Sequence, residues 1–316
     1  MQYDDHASAL LDLFESQGTR PFEKLGVLRS RRMLERSVSL QGERVEVARV
    51  EDVLAKYEGR RVPVRVYVPR LATEPDLLIV YLHGGGWVTG SVDAADLPCR
   101  ALAQATGAVV ASVEYRRAPE TPFPGALEDA FAALQWLIAS SARWGVEPDR
   151  VCVMGESAGA NLAAGCTLLT RDLQSPPIYR QVLLYPPLLP PKQGSYGSYS
   201  EPRRPQGLSA ASMTWFWEMY LQGGGTTSNP LAAPLLADDL SELPPAIVVT
   251  AEFDPLRDEG TDYAERLRSA GVPVKLWHFP GTIHGFYGMA GHLPQASEVT
   301  RRLAAEIQHW SNLQST

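Results

Sequence analysis

The sequence predicts an α/β protein: a mostly parallel twisted sheet with helices on both faces and a helical cap. Three observations carry this. From about residue 43 to the end, segments rich in β-branched residues alternate with helical patterns. The later apolar runs are continuous, which means burial on both faces of the sheet and therefore helices on either side. One run, Val151-Cys152-Val153-Met154, empties into Gly155-Glu156-Ser157-Ala158-Gly159 and then a small-residue helix pattern, the setting of a strained strand-to-helix turn that exposes a serine.

Taken in order, residues 1–42 read as an amphipathic helical leader carrying Arg29, Arg31, Arg32 and Glu35. Val45 to Val50 and Val62 to Val68 alternate in polarity and read as an edge hairpin. Leu77 to Leu82 is the first fully apolar strand, and it runs into His83-Gly84-Gly85-Gly86-Trp87. Ala108 to Val113 is the next strand, then Val151 to Met154 and Val182 to Leu184. Residues 186–225 break the alternation: they begin with prolines, pass through a Gly/Ser/Tyr stretch, and end in the aromatic helix Met213 to Tyr220. Inserted after a strand, this segment is a candidate lid. Ile247 to Thr250 and Val274 to Trp277 complete the strands, followed by a Gly/Pro-punctuated loop at Pro280 to Ile283 and a C-terminal amphipathic helix. The expected division is thus 1–42 and 186–225 as cap, and 43–185 and 226–316 as the two parts of the core.

Composition narrows the function classes. A net charge of -7 and a pI near 5.5 give no basic footprint for nucleic acid, which is excluded as a partner. Nowhere do about 18 uninterrupted apolar residues occur, so no membrane span is expected. The N-terminus lacks a basic, then apolar, signal pattern. Cys99, Cys152 and Cys166 show no disulfide-framework spacing, which points to a reducing cytoplasm and to buried thiols. No zinc-ligand spacing, Walker loop or dinucleotide fingerprint occurs in context, so neither a metal nor a cofactor is implied.

Ser157 needs a base, and the chain holds six histidines. His6 lies in the leader, His83 precedes the glycine loop, His278 falls within a strand and His309 in the last helix, whereas His284 follows a strand in a loop. His284 is therefore the candidate base. An acid that holds its tautomer should follow a neighbouring strand, and Glu252, Asp254 and Asp258 all qualify. The order of nucleophile, acid and histidine is that of an α/β-hydrolase.

Several motifs in this order resemble the hormone-sensitive-lipase-like (family IV) esterases of the α/β-hydrolase fold. The matching residues are His83 to Trp87, Tyr115 to Glu120, Phe123-Pro124, Leu127 to Asp129, Gly155 to Asn161, Asp254 to Asp258 and His284-Gly285-Phe286. Two departures stand at the elbow, Glu156 where the family more often has Asp and Ala160 where it has Gly. The resemblance implies Asp254 as the acid and the amides of Gly85, Gly86 and Ala158 as the oxyanion hole. It implies that the leader and the insertion together cover the pocket. Trp87, Trp215 and Phe216 are candidate substrate contacts, with anchoring of the loop or packing of the insertion as the competing readings. His83, Glu156, Tyr115, Arg116, Glu120, Glu128 and Asp129 read as support.

The expectation that follows is a serine carboxylesterase acting on a small-molecule ester with short to medium acyl chains. The same triad would also serve a metabolite-specific deacetylase, amidase or acyltransferase. A non-catalytic small-ligand receptor is the reading from another class, and an intact Ser157, Asp254 and His284 argues against it. An exposed edge strand near the C-terminus would suit a homodimer.

Overall fold

The computed structural model describes residues 2–70, 75–194, 196–222 and 224–312. Three helices come first, α1 (Asp5–Ser16), α2 (Phe22–Leu25) and α3 (Val27–Arg36). The strands β1 (Arg49–Tyr57) and β2 (Arg60–Val68) follow as a hairpin, then β3 (Leu78–Leu82), α4 (Asp96–Thr106), β4 (Val109–Val113) and α5 (Gly125–Ser140). The chain continues through β5 (Val151–Glu156), α6 (Ala158–Asp172), β6 (Arg180–Leu184) and α7 (Ala210–Leu221). It closes with β7 (Ala246–Phe253), α8 (Arg257–Ser269), β8 (Val274–Ile283) and α9 (Pro294–Asn312).

The strands form one sheet in the order β1-β2-β4-β3-β5-β6-β7-β8. The β1/β2 and β2/β4 pairs are antiparallel and the rest parallel, so the apolar strands lie in the middle as expected. Every residue of β3 and β4 is buried. Leu78, Val80 and Leu82 join the core under α5 and α6, while Ile79 and Tyr81 point to the opposite core with α1, α4 and α9. That is the two-residue period of a strand clamped between two helix layers. Each such side chain contributes roughly 1.5–3 kcal/mol by leaving water.

Two boundaries differ from the sequence reading. The hairpin's first strand is Arg49–Tyr57 and not Val45 to Val50. A two-residue turn at Glu58 and Gly59, with φ of 45° and 78°, sets Tyr57 opposite Arg60 and so fixes the register outward from the turn. At the other edge, Pro280 to Ile283 is not a loop but the end of β8, which pairs Ile283 with Phe253 beyond an irregularity at Ala251. Proline is tolerated there because β8 is an edge strand with one side unpaired. Gly281 takes a φ of 72°, and Asp4 lies against it: the Asp4 N–H donates to the Gly281 carbonyl at 3.0 Å. The Asp4 side chain in turn caps α1 by accepting from Ala7 N–H at 2.7 Å.

Candidate active site

The elbow joins β5 to α6 with a single residue, Ser157, at φ 52° and ψ -123°. That conformation is costly for a side-chain-bearing residue and holds because its surroundings leave no alternative. A Cβ on Gly155 would stand 2.2 Å from the Gly159 carbonyl, and one on Gly159 only 1.9 Å from the Leu82 oxygen. Both positions must be glycine for β3, β5 and α6 to meet this closely. The Ser157 N–H donates to Leu184 O at 2.8 Å, which ties the elbow to β6.

His284 follows the end of β8 directly, so a strand and not a flexible loop aims it. Its Nε2 lies 2.9 Å from Ser157 Oγ and its Nδ1 2.7 Å from Asp254 Oδ2. Asp254 is fully buried. With Nδ1–H donating to the carboxylate, Nε2 is left to accept the serine proton. The second oxygen, Oδ1, accepts from Leu256 N–H at 2.9 Å. The carboxylate therefore orients the imidazole with one oxygen and the turn into α8 with the other. Pro255 lies in that turn, ahead of the helix that begins at Arg257. Glu252 and Asp258 stand elsewhere: Glu252 accepts from Gly281 N–H at 2.6 Å and Asp258 from Ser198 N–H at 2.7 Å.

The glycine loop faces the serine. Gly85 and Gly86 take φ of 118° and 60°, and the Gly85 carbonyl is turned away to accept from Thr89 N–H at 2.8 Å. Ala158 is the first residue of α6, so its N–H has no acceptor in its own helix and sits at the positive end of the dipole. His83 braces the loop: Nδ1 meets Gly84 O at 2.8 Å, its ring stacks on Tyr115 at 4.2 Å, and Tyr115 donates to the His83 carbonyl at 2.6 Å. Burial holds the His83 imidazole down to about 4, so it is neutral.

Glu156 is held by two tyrosines as well as by the backbone of Gly84. Tyr81 donates to Oε1 and Tyr185 to Oε2, each at 3.0 Å. Burial pushes its carboxyl upward, against these hydrogen bonds. Tyr185 also sets its ring edge-on to His284 at 4.7 Å. No sequence signal marked Tyr185, because its role depends on two strands that only the sheet brings side by side. The supporting network is only partly enclosed. Asp129 is buried and chelated by Arg116 at 2.7 and 2.8 Å, but Glu120 is exposed and pairs with Arg31 of α3 at 2.6 Å.

Of the three aromatic candidates, the structure puts one at the cavity. Phe216 lines it, with a ring atom 2.1 Å from where a Cβ on Gly86 would stand. Trp87 is wholly buried, stacked on Tyr220 at 4.2 Å and against Trp217 at 4.6 Å. It anchors the glycine loop, its ring packed into the core. Trp215 packs on Phe216 at 5.0 Å and is not part of the lining.

Ser157, His284 and the glycine loop open into a cavity of about 680 Å³, within the range of small-molecule sites. Residues of α2, α3 and α7 line it opposite the sheet, including Phe22, Leu25, Met33 and Met213. Asn161 in α6 pins the insertion by donating to Pro187 O and Ala232 O, both at 2.9 Å. Among the described residues, no cluster suited to a metal ion occurs and no helix is long and apolar enough to cross a membrane. All three cysteines are unpaired and buried.

Comparison with known proteins agrees with this fold. The pattern of a family described as alpha/beta hydrolase fold matches residues 79–288. A carboxylesterase of Mycobacterium tuberculosis is 39% identical over 264 residues, covering 82% of each chain. An arylesterase of Saccharolobus solfataricus is 37% identical, covering 77% of this chain and 78% of that one. The structure of a hyperthermophilic esterase from the archaeon Pyrobaculum calidifontis superposes with a TM-score of 0.90 at 37% identity, over 98% of this chain and 99% of that one. Family pattern, relatives and fold agree, and the chain belongs to the hormone-sensitive-lipase-like carboxylesterases of the α/β-hydrolase fold.

Proposed function

We propose that the chain hydrolyses short to medium acyl esters of small alcohols through Ser157, His284 and Asp254 and an acyl-enzyme. The observation that carries this reading is the unbroken hydrogen-bonded chain from Ser157 Oγ through His284 to a buried Asp254, opening onto a small-molecule cavity. His284 takes the serine proton as Oγ attacks the ester carbonyl, and Asp254 stabilises the imidazolium that forms. The oxyanion is received by the N–H groups of Gly85, Gly86 and Ala158, each such donor contributing about 3 kcal/mol of transition-state stabilisation. His284 then protonates the departing alcohol. Water repeats the sequence on the acyl-enzyme and releases the acid. Phe216 is the proposed acyl or alcohol contact, and the leader and residues 186–225 the proposed cap.

Initial rates on p-nitrophenyl esters from acetate to palmitate, measured beside Ser157→Ala, test the proposal. Turnover should peak at short chains and fall by about a million-fold in the variant. Activity that survives Ser157→Ala would remove the assignment, and amine or alcohol acceptors in the same assay would reveal acyl transfer to something other than water.

Two coarser features belong to the same proposal. The sheet ends in β8, which pairs with no further strand among the described residues, so a homodimer joined through it is expected in sedimentation. Three unpaired thiols accord with residence in the cytoplasm.

A further inference from the structure

The chain is acidic, yet the wall that α3 and the segment before α2 contribute to the cavity is basic. Arg20, Arg29, Arg32 and Arg36 all line it, while the whole chain carries a net charge of -7. Arg29, Arg32 and Arg36 are spaced at three and four residues, which puts them on one face of α3. Arg31, on another face, is used differently: it donates to the carbonyls of Val88 and Ala118 and pairs with Glu120, docking the helix on the core. So α3 is fastened through one arginine and turns three others toward the cavity.

Among the described residues, none of Arg20, Arg29, Arg32 and Arg36 has a carboxylate within ion-pair distance, although other arginines of the chain are paired. Glu156 is the one carboxylate in the described lining, and its two oxygens are already taken by Tyr81 and Tyr185. The cavity thus combines apolar walls near Phe22, Leu25 and Met33 with solvent-exposed cations that have no carboxylate partner among the described residues. A cleft with one sign of charge and low-dielectric walls concentrates counter-charged ligands.

We propose that Arg29, Arg32 and Arg36, with Arg20, select esters that bear a carboxylate several bonds from the scissile carbonyl. The inference deepens the esterase reading and rests on it for the word ester. The selection itself is a statement about anion binding and can be measured without turnover.

The test compares pairs with the same reacting bond and different distal charge. On the acyl side these are the mono-p-nitrophenyl ester of adipate and p-nitrophenyl hexanoate. On the alcohol side they are the butanoate of hydroxyhexanoate and hexyl butanoate. In at least one pair, the ratio of kcat/KM for the charged over the neutral ester should fall about tenfold in Arg29→Gln/Arg32→Gln/Arg36→Gln, the size that a few exposed ion pairs give together. The ratio cancels any shared loss of folding or of chemistry. Lysine at the same three positions should restore most of it, and salt should lower it in the unaltered protein. A ratio equal in both proteins for both pairs would overturn the proposal. Calorimetric binding of adipate supplies the arm that needs no catalysis: binding weakened about tenfold in the glutamine variant supports the rim, and equal or absent binding in both rejects it. If no ester is turned over but adipate still discriminates the two proteins, the esterase reading fails and the anion site stands.

Discussion

Gly159 decides how closely α6 approaches the sheet, because a methyl group there would sit 1.9 Å from the Leu82 carbonyl. Backbone cannot yield as a side-chain tip can, so Gly159→Ala should push α6 off β3 and cost several kcal/mol, of the order of an overpacked core or more. Urea unfolding should show a large drop in midpoint; a near-normal midpoint would mean that the elbow can shift without cost. Asp254 is the second decisive residue. An asparagine there keeps a carbonyl oxygen for Leu256 N–H but offers the imidazole the wrong partner, so Asp254→Asn should lower kcat by about 10⁴-fold with little loss of thermal stability. If kcat fell by less than about tenfold, the proposed role of the carboxylate would be wrong.

Among elements, α3 supplies one wall of the cavity. Its docking runs through Arg31, which joins the carbonyls of Val88 and Ala118 on either side of the loop that Trp87 anchors. Glu120, whose side chain is 61% exposed, adds a solvated ion pair that contributes at most about 1 kcal/mol. Arg31→Ala should therefore cost more than Glu120→Gln, by about 1 kcal/mol, since it strips two carbonyls of a charged donor. Limited proteolysis should cut residues 17–41 faster in Arg31→Ala, with KM raised on neutral esters. Equal stability of the two variants would show that α3 is held by its apolar contacts instead. The end of β8 is the other element with leverage. It ends at Ile283, paired with Phe253, so the sheet fixes where the turn that carries His284 begins.

At the scale of the whole molecule, the buried His83 contributes to the loss of stability in acid. His83 is neutral in the native state, with burial, and to a lesser degree the charge of Arg117, holding it down to about 4 from 6.5 against a hydrogen bond to Gly84. Between those two values the unfolded chain binds a proton that the folded chain does not. Stability thus rises with pH across that window and is lost as pH falls toward 4, by up to about 3 kcal/mol from this residue. Unfolding free energies of the unaltered protein and His83→Gln, compared at pH 7 and near the lower limit, should show a shallower acid loss in the variant. Identical slopes would assign the loss to other groups.

What could be read without the fold was whatever shows as a pattern of neighbouring residues. The glycines beside Ser157, the apolar strands and the loop of Gly84, Gly85 and Gly86 each form such a run, even where the contact that demands the residue type is distant, as Leu82 is from Gly159. His284 and Asp254 were reachable because each follows a strand, although only a resemblance to known esterases separated Asp254 from Glu252 and Asp258. Tertiary structure decided the rest. Tyr81 of β3 and Tyr185, the residue after β6, grip Glu156, Arg31 crosses 57 residues to reach Val88, and Trp87 turns into the core to meet Tyr220. Such pairings leave no periodic trace, because each partner's residue type is common and only the folded distance makes it specific. The basic wall of the cavity belongs to both levels. The spacing of Arg29, Arg32 and Arg36 is written in the sequence, but whether that face meets solvent or substrate is settled only where α3 comes to rest.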